Sequence, residues 1–444
     1  MNVARLNFSH GSFSSHKAII RNLRDAAQSV GRPVAILADL AGPKIRIGDL
    51  LQSPVVLKVE EKIVLSTDKF SGDAERLSVN ISRLPQVVSR GDMIFLNDGY
   101  IQLEVSRVEG SDVVCRVMVG GELRSRQGVN VPGIDLGIGA FTSNDRQCLE
   151  FALQNGVDAI SQSFVEKASD VHEVREAAEA IGHYPFIIAK IERAGVMRHI
   201  DEILEASDGI MIARGDLGVE MPIVDLPMIQ KKLMRKANLV GKPVITATQM
   251  LESMIGNRRP TRAEATDVAN AILDGTDCVM LSGESAIGNY PVDAVSMLAG
   301  IAAAIEPLNT AQPVRDALCF ARKDAETHLR DLIALSVETA ARHAWPTVVI
   351  VPTQSGATAR SIARFRLPMW VTAVSASVPT CQSLQFSYGV QPVYAHEYPE
   401  DWKVFTREWL YNNGEKGNIA ILTEGPSSRH PDANNRMEII DLHR

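Results

Sequence analysis

Cysteine is scarce and unpatterned in this chain of 444 residues. Its five copies (Cys115, Cys148, Cys278, Cys319 and Cys381) are an odd number, widely scattered, with no CxxC pair. That argues against a disulfide framework or a structural zinc site and fits a reducing compartment. An excess of positive charge is also lacking. The formal net charge of -7 argues against general binding to nucleic acid or an acidic membrane, while leaving room for a local basic pocket. No apolar run is expected to reach the roughly 18 residues needed to cross a bilayer. The first residues, Met1 to Ser9, lack the basic head and apolar core of an export signal. Internal repeats and low-complexity segments are absent too. The expectation is a cytoplasmic protein with neither membrane nor nucleic acid as a partner.

What is present is an ordinary globular composition, 45% apolar and 22% charged, in a chain long enough for two or three domains. From Val34 onward, short apolar runs alternate with helical patterns. Val34–Leu37, Ala159–Ser163, Phe186–Ala189, Gly209–Ala213, Val244–Ala247 and Cys278–Leu281 read as buried strands. Ser169–Ala180, Pro227–Val240 and Arg262–Asp274 read as helices between them. Repeated strand–helix units imply a parallel sheet covered by helices. Polar residues gathered at the strands' C-terminal ends point to a (β/α)₈ TIM-type barrel. Two regions break the rhythm. Alternating Val, Ile and Leu from Asp49 to Gly133, with turn signals at Asn97-Asp98-Gly99 and Gly120-Gly121, predict a small all-β insertion. A polar stretch, Glu306–Asp324, precedes a second α/β domain with strands at Thr347–Val351, Val371–Val374 and Asn418–Leu422. The expected division is 1–48 and 134–306 for the barrel, 49–133 for the all-β insertion and 325–444 for the C-terminal domain.

The chemistry sits at strand ends. In Ile187-Ile-Ala-Lys-Ile-Glu192, Lys190 and Glu192 are two apart, so on an extended strand their side chains lean to the same side. Asp216 arrives from the next strand in Ile210-Met-Ile-Ala-Arg-Gly-Asp216. Two carboxylates on neighbouring strand ends suit a hard divalent cation that keeps positions open for substrate oxygens. Lys190 beside them can neutralise charge on a phosphoryl group or an enolate. A lone Lys–Glu pair is more often a structural ion pair; Arg214-Gly215-Asp216 alongside favours function. Gly215 and Gly218 allow a tight turn whose backbone N–H groups can hold an anion. Thr248 and Gln249 follow another strand, where a threonine alone reads first as a helix N-cap. Arg5, Asn7 and Ser9 share one face of an N-terminal strand, and Asp39, Lys44 and Arg46 end the following one, so an anion site is plausible there. His10 by itself reads as structural sooner than catalytic. Gln354-Ser-Gly-Ala-Thr-Ala-Arg360, between a strand and a helix, has the composition of a phosphate cradle, or of a plain helix start.

Asn2–Gly11 (NVARLNFSHG), Lys190–Glu192, Ala213–Gly218 (ARGDLG), Ala247–Met254 (ATQMLESM), Pro260–Glu264 (PTRAE), Asp267–Gly275 (DVANAILDG) and Met280–Glu284 (MLSGE) together resemble the pyruvate kinase family. The resemblance implies glycolytic phosphoryl transfer from phosphoenolpyruvate to ADP, giving pyruvate and ATP, on a barrel with a mobile lid and a C-terminal domain. It assigns Glu192 and Asp216 to Mg2+ or Mn2+, and Lys190 to the phosphoryl group and the enolate oxygen. Arg5, Arg46 and His10 fall to nucleotide and phosphate contacts, with Arg46 also absorbing charge during transfer. Gly215, Asp216 and Thr248 fall to the substrate carboxylate. Thr248 and Ser282 match positions implicated in proton delivery. Asn7, Ser9, Asp39 and Leu40 match a monovalent-cation site, and Ser355, Gly356, Thr358 and Arg360 an effector-phosphate loop. A homotetramer with a phosphorylated allosteric effector is implied as well.

The chain departs from the family pattern in four places. Asp39-Leu-Ala-Gly-Pro-Lys44 puts leucine and lysine where potassium-dependent members resemble threonine and glutamate, so K+ is not expected to be required. A first strand–helix unit of the barrel, before Met1 in the family, is missing from the chain as given; the natural chain is expected to begin further upstream. In the lid, Gln127 stands where lysine is common, with Arg124 and Arg126 as neighbouring charges. In the C-terminal domain, Thr423–Pro431 departs from the family's glycine-rich loop. Two other classes compete: a catalytically impaired truncated homologue, and a metal-dependent phosphoenolpyruvate or pyruvate lyase-like barrel.

Overall fold

The computed structural model describes residues 1–43, 45–309, 314–316, 318, 328–425 and 434–443. Lys44, Cys319, the expected start of the C-terminal domain at 325 and most of the Thr423–Pro431 stretch therefore lie outside the described residues.

Apolar runs become strands wherever both faces can be buried. The chain opens with β1 (Val3–Asn7) and β2 (Ala35–Leu40). The insertion follows as β3 (Val55–Leu57), β4 (Lys62–Ser66), β5 (Arg76–Ser78), β6 (Met93–Leu96), β7 (Ile101–Glu109), β8 (Asp112–Val119), β9 (Gly121–Leu123) and β10 (Val129–Asn130). The chain then returns to the first sheet with β11 (Ala159–Gln162), β12 (Phe186–Ile191), β13 (Gly209–Ala213), β14 (Val244–Ala247) and β15 (Cys278–Val279). These join β1 and β2 in a seven-stranded sheet ordered β1-β2-β11-β12-β13-β14-β15, parallel at every pairing.

The period-two alternation of each strand separates two cores. Ile187, Ala189 and Ile191 of β12 face outward into a large cluster shared with the covering helices. Phe186 and Ile188 face inward with Ala35, Leu37, Ala159, Met211, Ile245 and Ala247. Val3 of β1 and Cys278 of β15, from the two ends of the sheet, pack on this same inner cluster. A sheet whose edge strands share one interior is curled, which is the barrel the sequence predicts, with β1 and β15 as its edges. The covering helices begin where their caps dictate. Thr142 and Thr261 each accept a bond from the N3 amide while Asp145 and Glu264 bond back, giving reciprocal capping boxes at Ser143–Gln154 and Arg262–Leu273.

One expectation needs correcting. The helical stretch Pro291–Leu308 is long and apolar enough, by length and composition, to cross a membrane. Its Met297, Leu298, Ile301 and Ile305 pack against the outer barrel core, so here that apolar content covers a sheet.

The insertion forms a six-stranded sheet, β10-β6-β7-β8-β4-β5, and the ribbon β3-β9, around its own core. The C-terminal unit has β16 (Val348–Pro352), β17 (Trp370–Ser375), β18 (Val390–Tyr394), β19 (Ile419–Glu424) and β20 (Arg436–Asp441) in the order β18-β17-β16-β19-β20. Only β20 is antiparallel.

Candidate active site

The inward alternation of β12 continues upward: after Phe186 and Ile188 come Lys190 and then Glu192, the apolar interior giving way to charge at the strand's C-terminal end. Lys190 is 9% exposed and Glu192 1%. The ammonium of Lys190 donates to Glu192 Oε1 at 2.7 Å and to Ser163 Oγ at 2.6 Å, and it lies 3.4 Å from Asp39 Oδ1. The amide of Phe164 donates to the other Glu192 oxygen at 2.7 Å. Burial alone would lower the Lys190 pKa. The carboxylates of Asp39 and Glu192 outweigh burial and hold the ammonium charged well above the usual lysine range.

Asp39 is the hub of the next layer. It accepts from Arg5 Nε at 2.8 Å and from Ser161 Oγ at 2.7 Å. Burial would raise its pKa, yet Lys190 and Arg5 keep it below the ordinary value. Arg5 and Asn7 lie on one face of β1, as the alternation predicts, and Ser9 follows with its amide bonded to Asn7 Oδ1 at 2.9 Å. Ser163 donates in turn to the carbonyl of Leu40 at 2.7 Å. Ser161 and Ser163 escaped the sequence reading, although two serines at alternate positions of a buried apolar strand were a usable signal: an inward polar group needs a partner there.

Asp216 sits in the first turn of the helix Arg214–Glu220, which starts directly at the end of β13. Burial and the charge of Glu192 push its carboxyl up to about 7, against the pull of Lys190. Two carboxylates crowded in this way form a place short of positive charge. Among the described residues, no group of three or more His, Cys, Asp or Glu side chains could form a closed cage for a metal ion. Two carboxylates with open positions fit a magnesium-type ion, which keeps water and substrate oxygens in its shell.

Beside Asp216 the backbone approaches closely. A Cβ at Gly215 would lie 3.1 Å from Thr248 Cγ2, so only glycine leaves Thr248 in place. Thr248 and Gln249 have φ of 73° and 55°. No helix begins at Thr248, so the N-cap reading of this threonine is corrected: it occupies a left-handed turn. That turn is held by Arg214, which donates to the Thr248 carbonyl at 2.7 Å and the Ala247 carbonyl at 3.3 Å and pairs with Asp267 at 2.7 Å. Ser282 lies just past β15, and its amide donates to Glu284 at 2.7 Å.

A cleft of about 1100 Å³ runs between the strand ends and the inserted lid. Arg5, Asn7, Ser9, Asp39, Arg46, Lys190, Glu192 and Asp216 line its barrel side, and Asp98, Arg126 and Gln127 its lid side. The structure thus brings the charged candidates together. Gly215, Thr248 and Ser282 stand further round the rim and do not line this cleft. Exposed His10 does not line it either; its carbonyl is engaged by His16 Nε2 at 2.9 Å. In the lid, Arg126 pairs with Asp49 and Arg124 with Glu122, both at 2.8 Å.

The residues expected to cradle an effector phosphate lie elsewhere, after β16 in the C-terminal unit. Thr353 Oγ1 accepts the Gly356 amide at 3.0 Å, and Arg360 donates to the Ser355 carbonyl at 2.7 Å. Thr358 lies within the helix Ala357–Ala363. Gly356 has φ of 78°, and a Cβ there would meet Leu384 at 2.9 Å. Because β16 lies between β17 and β19, this loop is at the point where the strand order reverses, the usual ligand crevice of an open α/β sheet.

Comparison with known proteins follows the same outline. The family described as "Pyruvate kinase, barrel domain" matches residues 1–295, and "Pyruvate kinase, alpha/beta domain" matches residues 331–440. A pyruvate kinase of Thermococcus litoralis is 44% identical over 449 residues, spanning 100% of this chain and 93% of its own length. One of Geobacillus stearothermophilus is 46% identical, over 90% of this chain and 68% of its own. The crystal structure of a pyruvate kinase from Cryptosporidium parvum superposes with a TM-score of 0.92 at 35% identity, covering 100% of this chain and 91% of that one.

Proposed function

This chain belongs to the pyruvate kinase family and carries out its reaction, phosphoryl transfer between phosphoenolpyruvate and ADP, and from that premise we propose which side chains do the work. The family generally needs a divalent metal. Glu192 and Asp216 would hold Mg2+ or Mn2+, which when bound supplies Lewis-acid neutralisation of phosphoryl and enolate oxygens.

The chain's own groups then divide the labour. Lys190, fixed by Asp39, Glu192 and Ser163, presents its ammonium to the phosphoryl group in flight and to the enolate oxygen left behind. Arg5 and Arg46 bind phosphate oxygens from the barrel side, with His10 at the periphery of the nucleotide. The amides of Gly215 and Asp216, with Thr248, take the substrate carboxylate. Thr248 and Ser282, on the β14 and β15 side of the rim, are the candidates for delivering the proton that turns enolpyruvate into pyruvate. Such catalysis is positioning and charge stabilisation, and the lid over the cleft excludes water that would otherwise accept the phosphoryl group.

The observation that carries this reading is the 2.7 Å contact of Lys190 with Glu192 in a cleft shared with Asp216, Arg5 and Arg46. A lactate-dehydrogenase-coupled assay tests it. Pyruvate formation must require phosphoenolpyruvate, ADP and Mg2+ together; pyruvate formed without ADP would move the chain to the lyase-like class.

Four finer assignments belong to the same proposal. Asn7, Ser9, Asp39 and Leu40 do not act as a potassium site, because Asp39 is already neutralised by Arg5 and Lys190 and Leu40 brings no side-chain oxygen. Ser355, Gly356, Thr358 and Arg360 receive the phosphate of an allosteric effector. The working form is a cytoplasmic homotetramer. The domains divide at 1–48 with 134–306, 49–133 and 325–444.

A further inference from the structure

Among the described residues, the inner core of the barrel includes one that the barrel does not supply. Phe386, just past the C-terminal helix Val378–Leu384, is 0% exposed and belongs to the cluster of Ala35, Leu37, Ala159, Phe186, Ile188, Met211, Ile245 and Ala247. Three of those inward residues are alanines, which leave room between the strands. An aromatic ring from the other domain fills it. Phe386 stacks on Phe186 with ring centroids 5.4 Å apart and planes 23° apart. The guanidinium of Arg360, also from the C-terminal domain, lies 5.4 Å from the centroid of the same Phe186 ring.

The segment around Phe386 also reaches neighbouring strands. Its carbonyl accepts from Cys278 Sγ of β15 at 3.6 Å, and the Tyr388 amide donates to Asp277 at 3.0 Å. Asn2, next to β1, donates to Gln385 at 3.4 Å. Arg366 closes the junction by pairing with Asp277 at 2.9 Å, both side chains being almost fully buried. The C-terminal domain therefore seats itself on the lower ends of β1, β12 and β15. The upper ends of those strands carry Arg5, Lys190 with Glu192, and Ser282.

We propose that Phe386 is a positioning residue for phosphoryl transfer: by filling the barrel floor against Phe186 it fixes the height and tilt of β12, and through Ile188 sets where Lys190 and Glu192 stand. The physical reason is that a packed interior transmits displacement. Phe186, Ile188, Lys190 and Glu192 are alternate residues on one face of one strand, so a floor that settles moves the ammonium and the carboxylate together. The proposal rests on the roles assigned above to Lys190 and Glu192.

The test uses the full chain with Phe386→Leu, Phe386→Met and Lys190→Met, each assayed per folded molecule as judged by thermal melting. A loss of reactive alignment of a fraction of an ångström is expected to cost Phe386→Leu about tenfold in kcat. It also raises the half-saturating Mg2+ concentration several-fold and leaves the KM for ADP unchanged. Phe386→Met, whose longer unbranched side chain reaches further across the gap at leucine-like volume, restores part of both. A merely structural role predicts lower melting temperatures with kcat and the Mg2+ requirement of the folded fraction at wild-type values, and that result overturns the proposal. Should Phe386→Leu fail to fold, Phe186→Leu replaces it under the same criteria, since it opens the same stack from the barrel side. If Lys190→Met keeps full activity, the reading of the site itself falls, and this inference with it. If Lys190→Met is inactive while the Phe386 variants are kinetically wild-type, only the inference falls.

Discussion

Lys190 Nζ lies 2.7 Å from Glu192 Oε1, two residues along the same strand, and 3.4 Å from Asp39 Oδ1. One ammonium thus neutralises two carboxylates that are each about 1% exposed. Lys190→Met removes both the proposed transition-state charge and that neutralisation. Loss of a preorganised electrostatic group costs about 10²–10³ in kcat. Stranding buried carboxylates costs about 3–5 kcal/mol of stability, less whatever Arg5 recovers for Asp39. The coupled assay, with urea unfolding on the same preparation, checks both. Unchanged kcat in a folded variant would remove Lys190 from the chemistry.

Burial, together with repulsion from Glu192, pushes the Asp216 carboxyl up to about 7 in the metal-free protein. Asp216→Asn relieves that repulsion while deleting a proposed metal ligand. The expected outcome is divergent: the metal-free variant melts at or above the wild type, yet gains nothing from Mg2+. The wild type should be stabilised by about 2.7 kcal/mol when Mg2+ stands at 100 times its Kd. Differential scanning calorimetry with chelator and with Mg2+ reads the difference, and equal stabilisation of both proteins would dismiss Asp216 as a ligand.

Arg214 holds the Thr248 turn from below, through the carbonyls of Ala247 and Thr248 and the carboxylate of Asp267. A non-glycine residue at φ of 73° persists only when its surroundings enforce it. Arg214→Ala should therefore relax the turn, lowering kcat/KM for phosphoenolpyruvate by about 10²-fold through misplacement of Thr248. The KM for ADP should stay near wild type. Equal loss toward both substrates would mean general damage to the barrel.

Much of this frame was legible in the sequence because buried strands are continuous apolar runs. Gly209–Ala213 and Val244–Ala247 read correctly to the residue, and Lys190 with Glu192 announced themselves as charges two apart at a strand end. What escaped depends on tertiary contact. The amide of Phe164 on Glu192 and the arginine behind Thr248 join residues tens of positions apart. The left-handed turn at Thr248 and Gln249 carries no local glycine to signal it. The apolar length of Pro291–Leu308 is broken in the sequence by Asp293, Glu306 and Pro307, although its helical face packs on the barrel. Phe386 carries no sequence signal of its own, because its place in the barrel floor depends on contact between the two domains.

The Pro260–Glu264 segment belongs to the family resemblance, and its last residue is built as a structural clasp. Glu264 accepts from the amide and hydroxyl of Ser253 at 2.7 and 2.5 Å and from the amide and hydroxyl of Thr261 at 2.7 and 2.9 Å. Burial would raise its pKa, but these bonds to the charged form prevail and hold it below the ordinary value of 4.5. A depressed carboxyl contributes stability that is present above its unfolded pKa and is lost as the pH falls through the folded one. Glu264→Gln should thus destabilise by about 1–2 kcal/mol near pH 7, as loss of a cap does. The gap from wild type should close as the pH drops below 4.5. Urea unfolding of both proteins across that window checks it; a gap independent of pH would assign the effect to shape instead of charge.

The monovalent-cation requirement follows from how fully Asp39 is engaged. An alkali cation needs an anionic oxygen with charge to spare, and Asp39 is held by Arg5, Ser161 and Lys190 at once. Leu40 contributes no side-chain oxygen, and its carbonyl already accepts from Ser163 at 2.7 Å. Bringing K+ beside Arg5 and Lys190 would add a third positive charge to one buried carboxylate, an arrangement that like-charge repulsion disfavours. Initial rates in sodium, potassium and Tris buffers of equal ionic strength should therefore agree within about twofold, because screening is then held constant. A tenfold or greater activation by potassium over Tris would show that Asp39 releases one of its partners to admit the ion, and would return Asn7, Ser9 and Asp39 to the role of its ligands.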